Sequence, residues 1–180
     1  MEQADNPRDL DAVVRFHGHL CPGLALGFRA AETAMAALAA HRAEDEQLIA
    51  IVENDSCSAD AVQYVTGCTF GKGNFFFRDY GKQVLTLALR ASGQAVRIAL
   101  RAQRRGEPAG ADRQARINWL LHAPAEDLFE VMMTTIALPE AARVQESVLC
   151  DGCGEVVMST RATARDGRTL CIPCAQEQAG

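Results

Sequence analysis

Two imidazoles and a thiol fall within five residues of the stretch Phe16-His17-Gly18-His19-Leu20-Cys21-Pro22-Gly23. Nitrogen and sulfur donors at this density suit a borderline-soft ion such as zinc, iron or another late transition metal. In an extended segment, residues two apart project from one side, so the alternation predicts that His17, His19 and Cys21 are presented together. Pro22 fits the first position of a helix, which places Cys21 at the N-cap. There, free amide N–H groups and the positive end of the helix dipole favour the thiolate, which serves metal ligation, nucleophilic attack or redox chemistry alike. A lone His or Cys is more often a buried structural residue. Three such side chains ahead of one helix point to chemistry, and the spacing leaves open which of these it is.

Four further cysteines form the most specific pattern in the chain. Cys150-Asp151-Gly152-Cys153 and Cys171-Ile172-Pro173-Cys174 stand 17 residues apart, a separation expected of a four-cysteine zinc module. Each pair makes a turn that presents two thiolates from one side, and Val156 to Arg168 reads as a hairpin between them. A structural zinc ion is therefore expected on Cys150, Cys153, Cys171 and Cys174. A redox role for either Cys-x-x-Cys is disfavoured, because each pair supplies the ligands the other lacks.

The elements that must position these groups are legible in part. From Pro22 to about Ala40, the apolar residues Leu24, Phe28, Ala31, Met35 and Leu38 recur at three- and four-residue steps, a core-facing helical stripe. Leu48 to Val52 is a continuous apolar run with β-branched members, read as a strand buried on both faces. It leads into Glu53-Asn54-Asp55-Ser56-Cys57, where Asp55 or Ser56 can cap a helix running to about Thr66. Cys57 thus also sits near a helix N-terminus, and parallel neighbouring strands would bring it beside Cys21. Gly71-Lys72-Gly73 lacks the spacing of a phosphate-binding loop. Val84 to Arg90 and Val96 to Leu100 alternate around Ser92-Gly93 as a β-hairpin, although Gln94 to Arg105 also fits an amphipathic helix. Arg101 to Arg105 reads as a solvated face. Ala111 to Leu121 and Pro124 to Phe129 are expected to be helical, and Val131 to Leu138 a strand.

Composition narrows the classes further. Hydrophobic residues make up 48% and charged residues 23% of the 180, values of a soluble globular protein. No apolar run reaches the roughly 18 residues of a membrane span. The acidic start Met1-Glu2-Gln3-Ala4-Asp5 is unlike a signal peptide, so a cytoplasmic protein is expected. In that compartment seven cysteines are better explained by metal ligation than by disulfides. The net charge of -5 argues against nucleic acid as a partner. Residues 143–180 agree, with four Arg and no Lys against five acidic residues.

Three blocks in order carry a family resemblance: Phe16 to Gly23, Glu53-Asn54-Asp55-Ser56-Cys57-Ser58-Ala59-Asp60-Ala61, and Thr66-Gly67-Cys68-Thr69-Phe70-Gly71-Lys72-Gly73-Asn74. Together they resemble the FmdE family of formylmethanofuran dehydrogenase components. The resemblance implies an α+β fold: a thioredoxin-like mixed sheet flanked by helices over residues 1–145, followed by a treble-clef or zinc-ribbon finger over 146–180. It implies a catalytic site of His17, His19, Cys21 and Cys57, with a second metal ion, zinc among the candidates, on His19, Cys21 and Cys57. Such an ion would keep a position open for water or substrate. Cys68 stands next in line, and Asp55 and Asp60 could orient an imidazole or serve only as helix caps. Cys21-Pro22-Gly23-Leu24 departs from a thioredoxin motif in lacking a second cysteine. The activity implied is that of an accessory or catalytic-like component in one-carbon, molybdenum- or tungsten-dependent redox metabolism. The alternative is an interaction or metal-handling module whose finger docks a partner. A homodimer or association with a partner redox enzyme is expected, because in extended Phe75-Phe76-Phe77 the middle ring points opposite to its neighbours and needs a second covering surface.

Overall fold

The computed structural model describes residues 9–177, so the acidic stretch Met1 to Asp5 lies outside the described residues. The chain divides into two compact units, one up to Ala141 and one from Ala142. Among the described residues no helix is long and apolar enough to cross a membrane.

The first unit begins with a helix, α1 (Leu10–His17), where an extended segment was expected. The Asp9 carboxylate accepts from the Asp11 N–H at 3.0 Å to open it. Gly18, at φ 101°, closes it by donating its N–H to the Val14 carbonyl, a left-handed ending that glycine adopts without steric cost. His17, His19 and Cys21 therefore do not alternate along a strand. His17 is the last residue of a helix, and His19 sits in the short loop beyond it. Helix α2 (Pro22–Ala37) has Pro22 in its first turn and Cys21 as its N-cap. Its apolar stripe is buried as the spacing predicts.

Five strands form a mixed sheet in the order β2-β1-β3-β4-β5. They are β1 (Leu48–Val52), β2 (Phe75–Phe77), β3 (Val84–Leu89), β4 (Gln94–Leu100) and β5 (Phe129–Thr135). β1 runs parallel to β2 and antiparallel to β3, and the remaining pairs are antiparallel. All five residues of β1 are buried, because it lies inside the sheet with both faces covered. Gln94 to Leu100 is a strand, and its helical alternative falls: cross-strand pairing with both β3 and β5 overrides the local periodicity. β5 starts two residues before Val131 and ends at Thr135.

One sheet face packs Ala50, Val52, Leu85, Leu87, Val96 and Ile98 against α1, α2, α3 (Ser58–Thr66) and α4 (Arg113–His122). The other face buries Ile49, Ile51, Ala88 and Ala95 beneath Phe76, Ile136 and Leu138. Phe75 is buried, Phe76 joins that second cluster, and Phe77 is left 47% exposed. A four-residue helix, α5 (Ala125–Leu128), precedes β5. Arg101 donates to the carbonyls of Glu126 and Phe129, and Arg104 pairs with Glu107, so the basic run is partly engaged in holding local structure.

The second unit holds β6 (Ser147–Leu149), β7 (Val156–Met158), β8 (Ala162–Arg165), β9 (Arg168–Cys171) and α6 (Ile172–Glu177). Val156 to Arg168 does not close on itself as one hairpin. β7 pairs back with β6, and a second hairpin joins β8 to β9. Asp166 and Gly167, at φ 48° and 74°, supply the two left-handed residues that such a tight turn requires.

Candidate metal centres

The side chains of His17, His19, Cys21 and Cys57 each offer a donor atom, and these atoms lie within 4.8 Å of one another. They arrive from the end of α1, the loop that follows it, and the starts of α2 and α3. A close crossing of α2 over α3 makes this convergence possible. A Cβ on Gly27 would press onto the backbone of Ser58, whose Cα would be only 2.5 Å away. A Cβ on Gly23 would stand 3.3 Å from that of Cys57. Helix packing, not neighbouring parallel strands, thus brings Cys21 beside Cys57.

The loop bearing Cys57 is held by Asn54, which is 7% exposed. Its Oδ1 accepts from the Ser56 N–H at 3.1 Å, the Ser56 hydroxyl at 2.6 Å and the Ser58 hydroxyl at 3.1 Å. Its Nδ2 donates to the Lys82 carbonyl at 2.7 Å. Neither Asp55 nor Ser56 caps α3. Cys57 occupies the N-cap position and makes no side-chain capping bond.

Asp60, one of two acids considered for orienting an imidazole, does so: its Oδ2 is 2.7 Å from Nδ1 of His17. The His17 side chain is 11% exposed, and its Nε2 is buried without a hydrogen-bond partner. That nitrogen is the one left for a metal, in the carboxylate–histidine–metal pattern that fixes tautomer and ring orientation. His17 thus joins the donor set, which the sequence pattern confines to His19, Cys21 and Cys57. Cys21 is buried and its Sγ accepts from the Leu24 N–H at 3.3 Å. Burial pushes the Cys57 thiol up from its ordinary pKa, and the adjoining Cys21 thiol adds to this through its hydrogen bond and charge. Two sulfurs crowded in this way are relieved by a shared cation. Donor types, proximity and the orphaned Nε2 all fit a tetrahedral late transition-metal ion.

Cys68 does not join them. It follows α3 at the end opposite Cys57, is fully buried, and has its thiol pushed up to about 11 by burial. It is a small core residue.

In the second unit, Cys150, Cys153, Cys171 and Cys174 bring their sulfurs within 4.8 Å of one another. Cys150 and Cys153 lie in the turn between β6 and β7, Cys171 ends β9, and Cys174 lies in α6. Zn–S bonds of about 2.3 Å place tetrahedral sulfurs about 3.8 Å apart, and the sulfurs of Cys153 and Cys171 are 3.9 Å apart. The Cys150 thiol is drawn down to about 6, chiefly by the backbone N–H of Cys171 with those of Cys153 and Gly152. Cys174 is pushed up to about 12 by hydrogen bonding to Cys171 and by burial. One thiolate preformed among its neighbours is a suitable starting point for capturing a zinc ion.

Gly27 and Asn54 carry parts of the site that the sequence does not announce as such. A glycine inside a helical stripe does signal close approach. Asn54 gives no comparable sign.

Comparison with known proteins follows the same division. Residues 16–130 match the model of a family described as FmdE, molybdenum formylmethanofuran dehydrogenase operon. Residues 146–178 match that of the prokaryotic dksA/traR C4-type zinc finger. The chain is 32% identical over 188 aligned positions to a protein of Archaeoglobus fulgidus described as a probable S-adenosyl-L-methionine-binding protein. That match covers 89% of this chain and 50% of the relative, so the chain spans about half the length of the curated relative it matches. A crystal structure of a tungsten formylmethanofuran dehydrogenase FmdE-like protein from Syntrophus aciditrophicus is similar at a TM-score of 0.66 and 25% identity, over 95% of this chain and 92% of that one.

Proposed function

The chain belongs to the FmdE family, and from that premise we propose that its core site is a metal centre acting as an accessory or catalytic-like component of one-carbon, molybdenum- or tungsten-dependent redox metabolism. The chain is a metal-binding protein with a four-cysteine zinc finger; the proposal concerns what the core site does. The observation that carries it is the divided histidine: Nδ1 of His17 is committed to Asp60 while its Nε2 is buried and unpartnered among three further donors. A purely structural histidine would have both nitrogens satisfied or solvated.

His17, Cys21 and Cys57 would hold the ion, with His19 at the solvent side. An ion so held supplies Lewis acidity to a bound group. Asp60 keeps the His17 ring in one orientation and tautomer, and Asn54 keeps Cys57 in register with Cys21. The descriptions of the two similar proteins name different chemistry, S-adenosylmethionine binding in one and formylmethanofuran dehydrogenase in the other. The donor set present in this chain favours the metal-centred reading.

Elemental analysis of protein purified without added metal tests the proposal, with the Cys21→Ser variant alongside. Two metals per chain, falling to one in the variant, is the expected result. One metal in both would leave the finger alone occupied and defeat it.

A second reading is an interaction module, a homodimer or a component of a larger redox enzyme, docked through the finger. It is favoured by the outer face of the β6–β7 hairpin, where Leu149, Val156 and Met158 are 64%, 69% and 59% exposed. Sedimentation at micromolar concentration should show association that Leu149→Glu weakens without loss of metal. A wild-type protein that sediments as a monomer, alone and with a candidate partner, removes this reading.

A further inference from the structure

We infer that His19 is the exchangeable donor of the core centre, and that a small Lewis base, a thiolate or carboxylate group, takes its place on the metal while His17, Cys21 and Cys57 stay bound. The inference rests on the reading of these four residues as a metal centre and assigns them unequal parts in it.

Three of the donors are held by the protein itself. His17 ends a capped helix and is 2.7 Å from Asp60. Cys21 is buried at the N-cap of α2 and accepts from the Leu24 N–H. Cys57 sits between Asn54, with its bonds to Ser56 and Ser58, and the glycine crossing of α2. His19 differs on each count. It is exposed and stands one residue beyond the left-handed Gly18. Its ring lies against that of His17 at 4.7 Å and 37°, and none of the hydrogen bonds found among the described residues involves its side chain.

That asymmetry decides which bond opens. Were His17 to leave a metal, its Nε2 would remain buried without a partner, the costly condition for a polar group. Were Cys21 or Cys57 to leave, an ionised sulfur would be stranded in a desolvated place. When His19 leaves, its nitrogen passes into water and the side chain regains rotamer freedom. Three fixed protein ligands and one exchangeable position is also the arrangement that separates reactive from closed structural zinc sites. Because two thiolates already neutralise a divalent ion, an incoming ligand need not be charged to match. Entry from the solvent side favours a donor group at the end of a larger molecule.

The full chain loaded with cobalt(II), with azide as the probe ligand, tests this by metal stoichiometry and by the visible bands of the ion. The finger has four thiolates and no exposed imidazole, so azide-dependent change reports the core. His19→Ala should keep both metals and shift its bands with azide at a lower concentration than wild type requires. His17→Ala and Cys21→Ser should each lose one metal. A His19→Ala variant that loses its core metal as Cys21→Ser does would overturn the inference while leaving the metal centre standing, as would wild-type and His19→Ala spectra that azide leaves unchanged. A wild-type chain that holds only the finger metal sinks both.

Discussion

His17 carries two tasks on one ring, and the burial of that ring makes them separable. Asp60 is not needed for folding by its position, since its side chain is 41% exposed and contributes a surface bond. Its effect should therefore appear in metal binding. Asp60→Ala is expected to weaken the core metal by about ten- to a hundredfold, the usual cost of losing an orienting carboxylate, with Asp60→Asn losing less. Competition against a chromogenic chelator reads this directly, and an unchanged affinity in Asp60→Ala would mean that packing alone orients the ring. Cys68 makes the opposite case. Its thiol titrates at about 11 in the fold against a reference of 9.0, so the fold prefers the protonated form. The stabilisation is complete below pH 9 and is lost as the pH rises from 9 to 11, amounting to about 3 kcal/mol for a shift of that size. Cys68→Ala should flatten the alkaline limb of a stability curve over that window, and native Cys68 should resist alkylation at about pH 8, where the free thiol begins to ionise. In the sequence Cys68 is indistinguishable from Cys57, because both follow structured runs near glycine or serine; only burial separates them.

At the scale of elements, what was legible followed from periods long enough to repeat. The stripe of α2, the apolar run of β1 and the alternation of β3 are each set by burial, and burial leaves a mark on composition. The eight residues of α1 are too few for a stripe to stand out, so the alternating His17, His19 and Cys21 suggested a strand. The signals that define the helix are its ends, Asp9 as N-cap and Gly18 as the left-handed stop. The convergence of the site was not legible, since it depends on how closely two helices approach. Gly27 controls that approach. Gly27→Ala places a methyl group against the Ser58 backbone, where a rigid neighbour cannot give way, and overpacking of this kind costs about 1–3 kcal/mol. The variant should melt earlier and retain less core metal, because separating α2 from α3 draws Cys21 away from Cys57. Thermal unfolding and metal content, measured on the same preparation, should fall together; a lower melting point with full metal content would show that the donors adapt without the tight crossing.

At the scale of the whole molecule, the two units fold for different reasons. The first buries a continuous core drawn from its helices and sheet. The second has Cys150, Leu170 and Cys171 as its buried centre, with Val157, Cys174 and Ala175 partly buried around it. Cys150, Cys171 and Cys174 are themselves zinc ligands, so the finger lacks an apolar core apart from its metal site. Ordering some 30 residues costs about 1–2 kcal/mol each, more than so few buried groups return, and the balance falls to the metal. Cys153→Ser should then release the finger zinc and unfold the second unit. The first should keep its melting transition and its own metal, since its donors lie wholly within it. Limited proteolysis distinguishes the outcomes: cleavage confined to the unit that starts at Ala142 is expected, with the fragment up to Ala141 resistant. Protection of the tail in the zinc-free variant would mean that its hairpins hold without the ion, and the two pairs of cysteines would then need another explanation.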